Sequence, residues 1–330
     1  MRKIYTIFLV IFLLGSASIK AQSTDGTDFW VTFGRNARAA GNPELRIRIV
    51  SRGQGASGTI HFTQQTPPIP DIPFSLGPYE VFTTNPLNST QISAVYHNLV
   101  IGSETNFKTI YIHSDQPITA YAMNQYEQST DATNLLPETA LDAEYYQISY
   151  ISKDYSDAYA VIAMENGTKV YHDGILAATL DRGEVYYKTY MTPYPADMTG
   201  AHITTDDNKP IAFFALNMDV YLPHTYPDQG TSRDCFMQQL APVGTWGKKF
   251  FVPVSDLTCK PSPSYPSCNC DDTKDRVRIV ASQDGTTFTV PPTNITLITN
   301  SGGQSPITKT LNKGQFFELE VTLNNNGTYF

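Results

Sequence analysis

The chain has 330 residues, a formal net charge of −8, only 16% charged residues, and 20 tyrosines with 17 phenylalanines. Lysines and arginines are scattered along it, which argues against nucleic acid, because phosphate recognition needs a clustered basic surface. An aromatic, uncharged-polar composition suits half-buried pleated surfaces and not disorder, and the length predicts two or three domains or a repeat array.

The first segment reads as an export signal. Arg2 and Lys3 precede an apolar run from Ile4 to Leu14, and small residues lead to a cleavage site between Ala21 and Gln22, so residues 1–21 are expected to leave the mature chain. The run is about 16 Å long as a helix, roughly half of a bilayer core, and no later stretch is apolar enough to span. No cysteine occurs before Cys235, which disfavours a lipid anchor on an N-terminal cysteine. Losing Arg2, Lys3 and Lys20 makes the mature chain more acidic still.

Beyond the leader the chain reads as all-β, with Gly, Asn, Asp and Pro dividing short strands. A first β repeat is expected over 22–124, with strands at Phe29 to Phe33, Leu45 to Val50, Thr59 to Thr63, Tyr79 to Thr83, Thr109 to His113 and Pro117 to Ala122. A connector over 125–143 follows. The second β repeat, 144–217, has strands at Glu144 to Tyr150, Ala158 to Met164, Lys169 to Tyr171, Glu184 to Thr189, Ala201 to Thr205 and Pro210 to Leu216. A connector with a cysteine, 218–248, leads to an incomplete third β repeat over 249–330.

Three pieces recur and define these repeats. Tyr159 to Val170 returns 118 residues later as Val277 to Phe288, and Thr179-Leu-Asp-Arg-Gly-Glu-Val-Tyr186 returns as Thr310-Leu-Asn-Lys-Gly-Gln-Phe-Phe317. Asp115 to Asn124 resembles Asn208 to Asn217, each with a proline opening a strand at Pro117 and Pro210. Asn166-Gly167 and Asp284-Gly285 predict type I′ hairpins. The run Ala160 to Met164 is apolar on both faces, as for a central strand covered by a second layer. The expected architecture is tandem six-stranded β-sandwich-like repeats packed in an array, with the third truncated; propeller-like blades are the alternative. Leu135-Leu-Pro137, Leu141, Leu240 to Val243 and Trp246 are expected to pack the repeats together.

Reactive motifs are weak. Gly53-Gln-Gly-Ala-Ser-Gly58 matches a dinucleotide-binding pattern, yet a strand and not a helix follows, so it reads as a hairpin loop. Cys235, Cys259, Cys268 and Cys270 suggest two disulfides in an exported chain. Cys259 would join Cys268 or Cys270, with Cys235 taking the other, and a structural metal is the alternative. Asp271-Asp272 reads as a solvated turn and the six histidines as ordinary surface residues. No catalytic, cofactor-binding or metal residue is assigned, and no motif places paired carboxylates across a cleft.

The landmarks Gly26-Thr-Asp-Phe-Trp30, Asp131 to Pro137, Glu144-Tyr-Tyr146, Asp197-Met-Thr-Gly200, Cys235 with Gln239 to Val243, and Thr245-Trp-Gly-Lys248 together resemble the IgGFc-binding protein N-terminal domain family. That resemblance implies a secreted or cell-surface, non-enzymatic binding module. Its partner would be a protein or glycan at a mucosal or cell surface, with immunoglobulin Fc or mucin as candidates by resemblance, and without nucleic acid. The leader resembles those of exported bacterial proteins, so a bacterial source is expected. A structural spacer of a larger surface protein and a carbohydrate-active hydrolase are the alternative readings. No ligand-binding residue follows from the resemblance.

Overall fold

The structure, a computed structural model, describes residues 23–39, 43–127, 129–150, 157–189, 197–220, 234–252, 275–290, 295–299 and 307–323. The chain is all-β. Its first part contains β1 (Gly26–Val31), β2 (Glu44–Ser51), β3 (Ala56–Phe62), β4 (Ile72–Leu76), β5 (Val81–Thr83), a short helix α1 (Ser89–Ser93), β6 (Gly102–Asn106), β7 (Ile110–Tyr126) and β8 (Ser129–Asn134). Its second part contains β9 (Glu144–Tyr146), β10 (Asp157–Ala163), β11 (Thr168–His172), β12 (Ile175–Leu180), β13 (Val185–Thr189), β14 (His202–Thr205), β15 (Ile211–Val220) and β16 (Asp234–Gln239). Its third contains β17 (Asp275–Val280), β18 (Thr286–Val290), β19 (Ile295–Thr299), β20 (Ile307–Leu311) and β21 (Phe316–Leu323).

Strand for strand, the pairings of the second part match those of the first. β2 pairs with β5 and β7, and β10 pairs with β13 and β15; β3 pairs with β4 and β7, and β11 pairs with β12 and β14. β1 and β9 flank β7 and β14, while β8 and β16 flank β7 and β15. Apart from β6, which has no counterpart in the second part, one difference separates them. In the first part β7 runs 17 residues without a break, its early half pairing with β1 and β3 and its late half with β2 and β8, so a single sheet folds over on itself. In the second part a helical turn at Asp206–Asn208 cuts the same path into β14 and β15, leaving two separate sheets. Pro117, expected to open a strand, therefore lies inside β7, between its two sets of partners.

The first two parts are larger than their sequence suggests. β4 and β12 are edge strands with weak alternation, β8 and β16 fall within the expected connectors, and β6 is added where two expected strands merge in β7, so each of these parts has eight strands where six are expected. The Asn166-Gly167 and Asp284-Gly285 turns also differ from expectation. They carry the chain between two sheets and do not close a hairpin, and only the glycine of each pair has positive φ. The type I′ pair is instead Asp173-Gly174, with φ of 51° and 78°, joining β11 to β12. Likewise the glycine-rich loop after β2 links strands that pair with different halves of β7 and not with each other.

Burial explains the stacking of the parts. Every residue of β10 and β15 is buried. One face of their sheet, including Ala160, Ile162, Tyr187 and Phe214, joins a core that continues into the first part through Phe29, Ile47, Ile112 and Leu135. The opposite face, with Tyr159, Val161 and Phe213, packs on Tyr145, Val170 and Ile203 of the outer sheet. β6 adds a further seam: it leaves the first part to pair with β13 of the second. Packed apolar surface of this extent makes the first two parts one body.

Candidate interaction surfaces

Two joints hold the parts in register, and they absorb much of the chemistry that the landmarks display. At the first, the turn before β13 places Gly183, at φ 81°, against the Trp30 ring; a Cβ there would stand 2.8 Å from that ring. Thr109 donates to the Gly183 carbonyl at 2.7 Å. Trp30 donates its indole N–H to Glu138 at 2.5 Å, Glu138 also receives Arg182, and the Arg182 guanidinium lies 5.4 Å from the centre of the indole ring. Trp30 is thereby only 5% exposed, so this tryptophan braces a joint and does not face a partner.

At the second joint Gly314, at φ 76°, in the corresponding turn before β21, abuts Gly200 and Tyr146. Arg278 of β17 completes it. The guanidinium donates to the Ser149 carbonyl at 2.6 Å, Asp197 at 2.7 Å, Thr199 at 2.8 Å and Glu318 at 2.7 Å, and it stacks between Tyr150 and Phe316. Burial works against its charge, but the two carboxylates more than offset that, and its pKa is raised. The landmark Asp197-Met-Thr-Gly200 is thus the socket for an arginine and a glycine from the next part.

Another landmark pair meets along β8 and β16. Asp131 accepts the Met237 amide at 2.6 Å, Thr133 accepts the Gln239 amide at 2.9 Å, and Gln239 accepts the Leu136 amide at 2.8 Å. Beside this seam a depression of about 330 Å³ is lined by Thr24, Asn134, Leu136, Gln238, Gln239, Leu240 and Ala241. Asn134 Oδ1 and Gln239 Nε2 are buried there with no protein partner.

The sequence-derived residues fall out as follows. Cys235 is a buried free thiol on β16, its pKa pushed up to about 12 by burial. Cys259, Cys268, Cys270 and Asp271-Asp272 lie outside the described residues, as do the leader and its Ala21–Gln22 cleavage site. The histidines are not uniformly on the surface: His97 is fully buried, stacked on Tyr187 at 4.5 Å and bonded to Glu104 at 2.6 Å. Burial lowers the His97 pKa, which opposes a charged role. The Tyr111 hydroxyl donates to Asp28, which also bonds His113 at 2.8 Å on the outer face of the first sheet. Among the described residues no cluster of three or more His, Cys, Asp or Glu is placed to hold a metal ion, and no helix is long and apolar enough to cross a membrane. Sequence reading missed Arg278, whose alternation on β17 looks like that of a solvent-facing residue.

Fold and joints together define a multi-part all-β module whose landmark residues serve contacts between its parts. The profile of the family described as IgGFc binding protein matches residues 131–329, and the chain belongs to that family. It is similar to the human IgGFc-binding protein, at 22% identity over an alignment of 259 residues that covers 73% of this chain. The same match covers 4% of the human protein, so the chain spans a small fraction of that relative's length. No solved structure matches the chain.

Proposed function

We propose that the chain is a secreted or cell-surface binding module that recognises a protein partner without catalysis. Family membership over residues 131–329 is the observation that carries this reading, because the curated relative is named for binding the Fc region of IgG. Immunoglobulin Fc is therefore the first ligand to test, with mucin and glycans after it. Packing supports the same role. A module whose parts share a core and an arginine socket presents its surfaces in fixed relation, which limits the entropy lost on binding. The amide-lined depression beside Gln238 is a candidate contact for the polar groups of such a partner.

The test is retention of purified residues 22–330 on immobilised IgG Fc, mucin and a glycan array. Retention on one of them supports the module, and retention on none favours the spacer reading.

A further inference from the structure

The way each part seats on the one before it singles out a matching face on which none of the described residues is seated. Three main-chain hydrogen bonds align the parts: Ser51 to Glu80, Ala163 to Glu184, and Ala281 to Gln315. The register agrees, with Val50 opposite Val81, Ile162 opposite Val185, and Val280 opposite Phe316. The preceding turns are alike as well. Gly77, Asp181 and Asn312 each offer an amide to the side chain three residues on, at 2.7, 3.0 and 2.9 Å. Tyr79, Gly183 and Gly314 then occupy one position, all at positive φ.

On that alignment Leu45-Arg46-Ile47-Arg48-Ile49-Val50 corresponds to Asp275-Arg276-Val277-Arg278-Ile279-Val280. Arg48 stands where Arg278 stands. In the second part the same positions are Ala158 and Ala160, buried against the first part. In the third, Arg278 fills the Asp197 socket. In the first part the face is open to solvent: Arg48 and Val81 are exposed, Tyr79 is 78% exposed, and Arg46, Val50, Tyr121 and Met123 are partly so. Where Arg278 meets Glu318 across the pair of strands, Arg48 meets the Thr83 hydroxyl at 3.1 Å, and Arg46 beside it pairs with the exposed Glu44 at 3.3 Å.

Another part of the same kind does not fit this face in the same way. Gly183 seats against Trp30 with no room for a Cβ, and Tyr79 puts a whole phenol at that position. We propose that the outer face of β2, β5 and late β7, centred on Arg46, Arg48, Tyr79, Val81 and Tyr121, docks an acidic segment of a different protein. The chemistry of that segment follows from the filled socket: a carboxylate beside a main-chain carbonyl and an aromatic ring, as Asp197, Ser149 and Tyr150 offer to Arg278. Arginine, tyrosine and methionine on one surface are the residues that interfaces favour, and opposite charge supplies the encounter. The inference rests on the reading of the chain as a binding module, and it is silent on whether that partner is an immunoglobulin.

The test uses residues 22–330 with a poly(Glu,Tyr) copolymer as the acidic, aromatic probe and heparin as a non-protein polyanion. The chain is acidic overall, so general electrostatics oppose binding and only a local basic face favours it. Wild type should bind the copolymer in a salt-dependent way, and Arg46→Glu/Arg48→Glu should bind at least tenfold more weakly while keeping the wild-type melting temperature. Arg46→Gln/Arg48→Gln, which adds no repulsion, should weaken binding in the same direction. Unchanged binding by either double variant overturns the proposal, as does absence of copolymer binding by wild type. Heparin binding as tight as copolymer binding, lost in the same variants, also overturns it, since the face is then a general anion site. Retention of Fc or mucin by a variant that has lost the copolymer would leave the binding module standing and sink only this face as its docking surface for that ligand.

Discussion

Replacing Arg278 by alanine should uncouple the third part from the second. The guanidinium is 7% exposed and its partners Asp197 and Glu318 are 15% and 7% exposed, so the pairs are screened little by water. Removing one member of a buried, hydrogen-bonded ion pair costs about 3–5 kcal/mol when the partner is left uncompensated; here that partner is Asp197, since Glu318 keeps Arg276 at 2.8 Å, which places the loss near the lower end. Here the loss includes the contacts to the Ser149 carbonyl and the Tyr150 and Phe316 rings. At 3 kcal/mol the opening equilibrium of β17 and β21 rises by about a hundredfold. Hydrogen exchange reads this directly: amides in Asp275–Val280 and Phe316–Leu323 should lose protection, while those in Ile110–Tyr126 keep theirs. Arg52→Ala, which removes an exposed pair with Asp25, is the control and should leave exchange near wild type. Unchanged protection in β17 and β21 of the Arg278 variant would refute the socket.

Three further outcomes follow from particular contacts. Gly183→Ala should destabilise by about 1–3 kcal/mol in urea, more than Gly167→Ala, because both sit at positive φ but only the first Cβ meets a ring. Equal losses would show that Trp30 gives way. Asp157 is buried, and burial pushes its pKa up to about 8 against hydrogen bonding from the Met198 amide. The folded chain therefore holds a proton that the unfolded chain releases near its ordinary value of 3.8, so stability should fall as pH rises from about 4 to about 8. Asp157→Asn should flatten that slope in denaturation at pH 5 and pH 8, and an unchanged slope would assign it elsewhere. Cys235 should resist iodoacetamide in the folded chain and react after unfolding without reductant; labelling of the native protein would contradict its burial.

Much of the frame was visible in residues. Ala160 to Met164 reads as apolar on both faces, and β10 is indeed covered on both, once by its own outer sheet and once by the first part. The Leu-Asp-Arg-Gly and Leu-Asn-Lys-Gly turns marked repeated corners, but they did not reveal that each corner is a contact point. Its partners, Trp30 and Tyr146, are separated from those corners by more than a hundred residues. β8 gives no strand signal because Ser129-Thr-Asp-Ala-Thr-Asn134 is polar apart from Ala132; its side chains bond the main chain of β16, which no local pattern encodes. The sequence pattern divides β7 at Pro117 because a proline has no N–H to give a ladder, whereas the strand changes partners at that point. Arg278 escaped for another reason. Charge on alternate strand positions signals solvent, and only the arrival of Asp197 and Ser149 from the second part turns that position inward.

Surface plasmon resonance of residues 22–330 over immobilised IgG Fc, mucin and glycans, run beside Arg46→Glu/Arg48→Glu, tests the binding account most directly. The account predicts salt-sensitive retention of the wild type on at least one protein surface, and where the double variant loses it, that ligand docks on the face of β2, β5 and late β7. Absence of retention on every surface would contradict it.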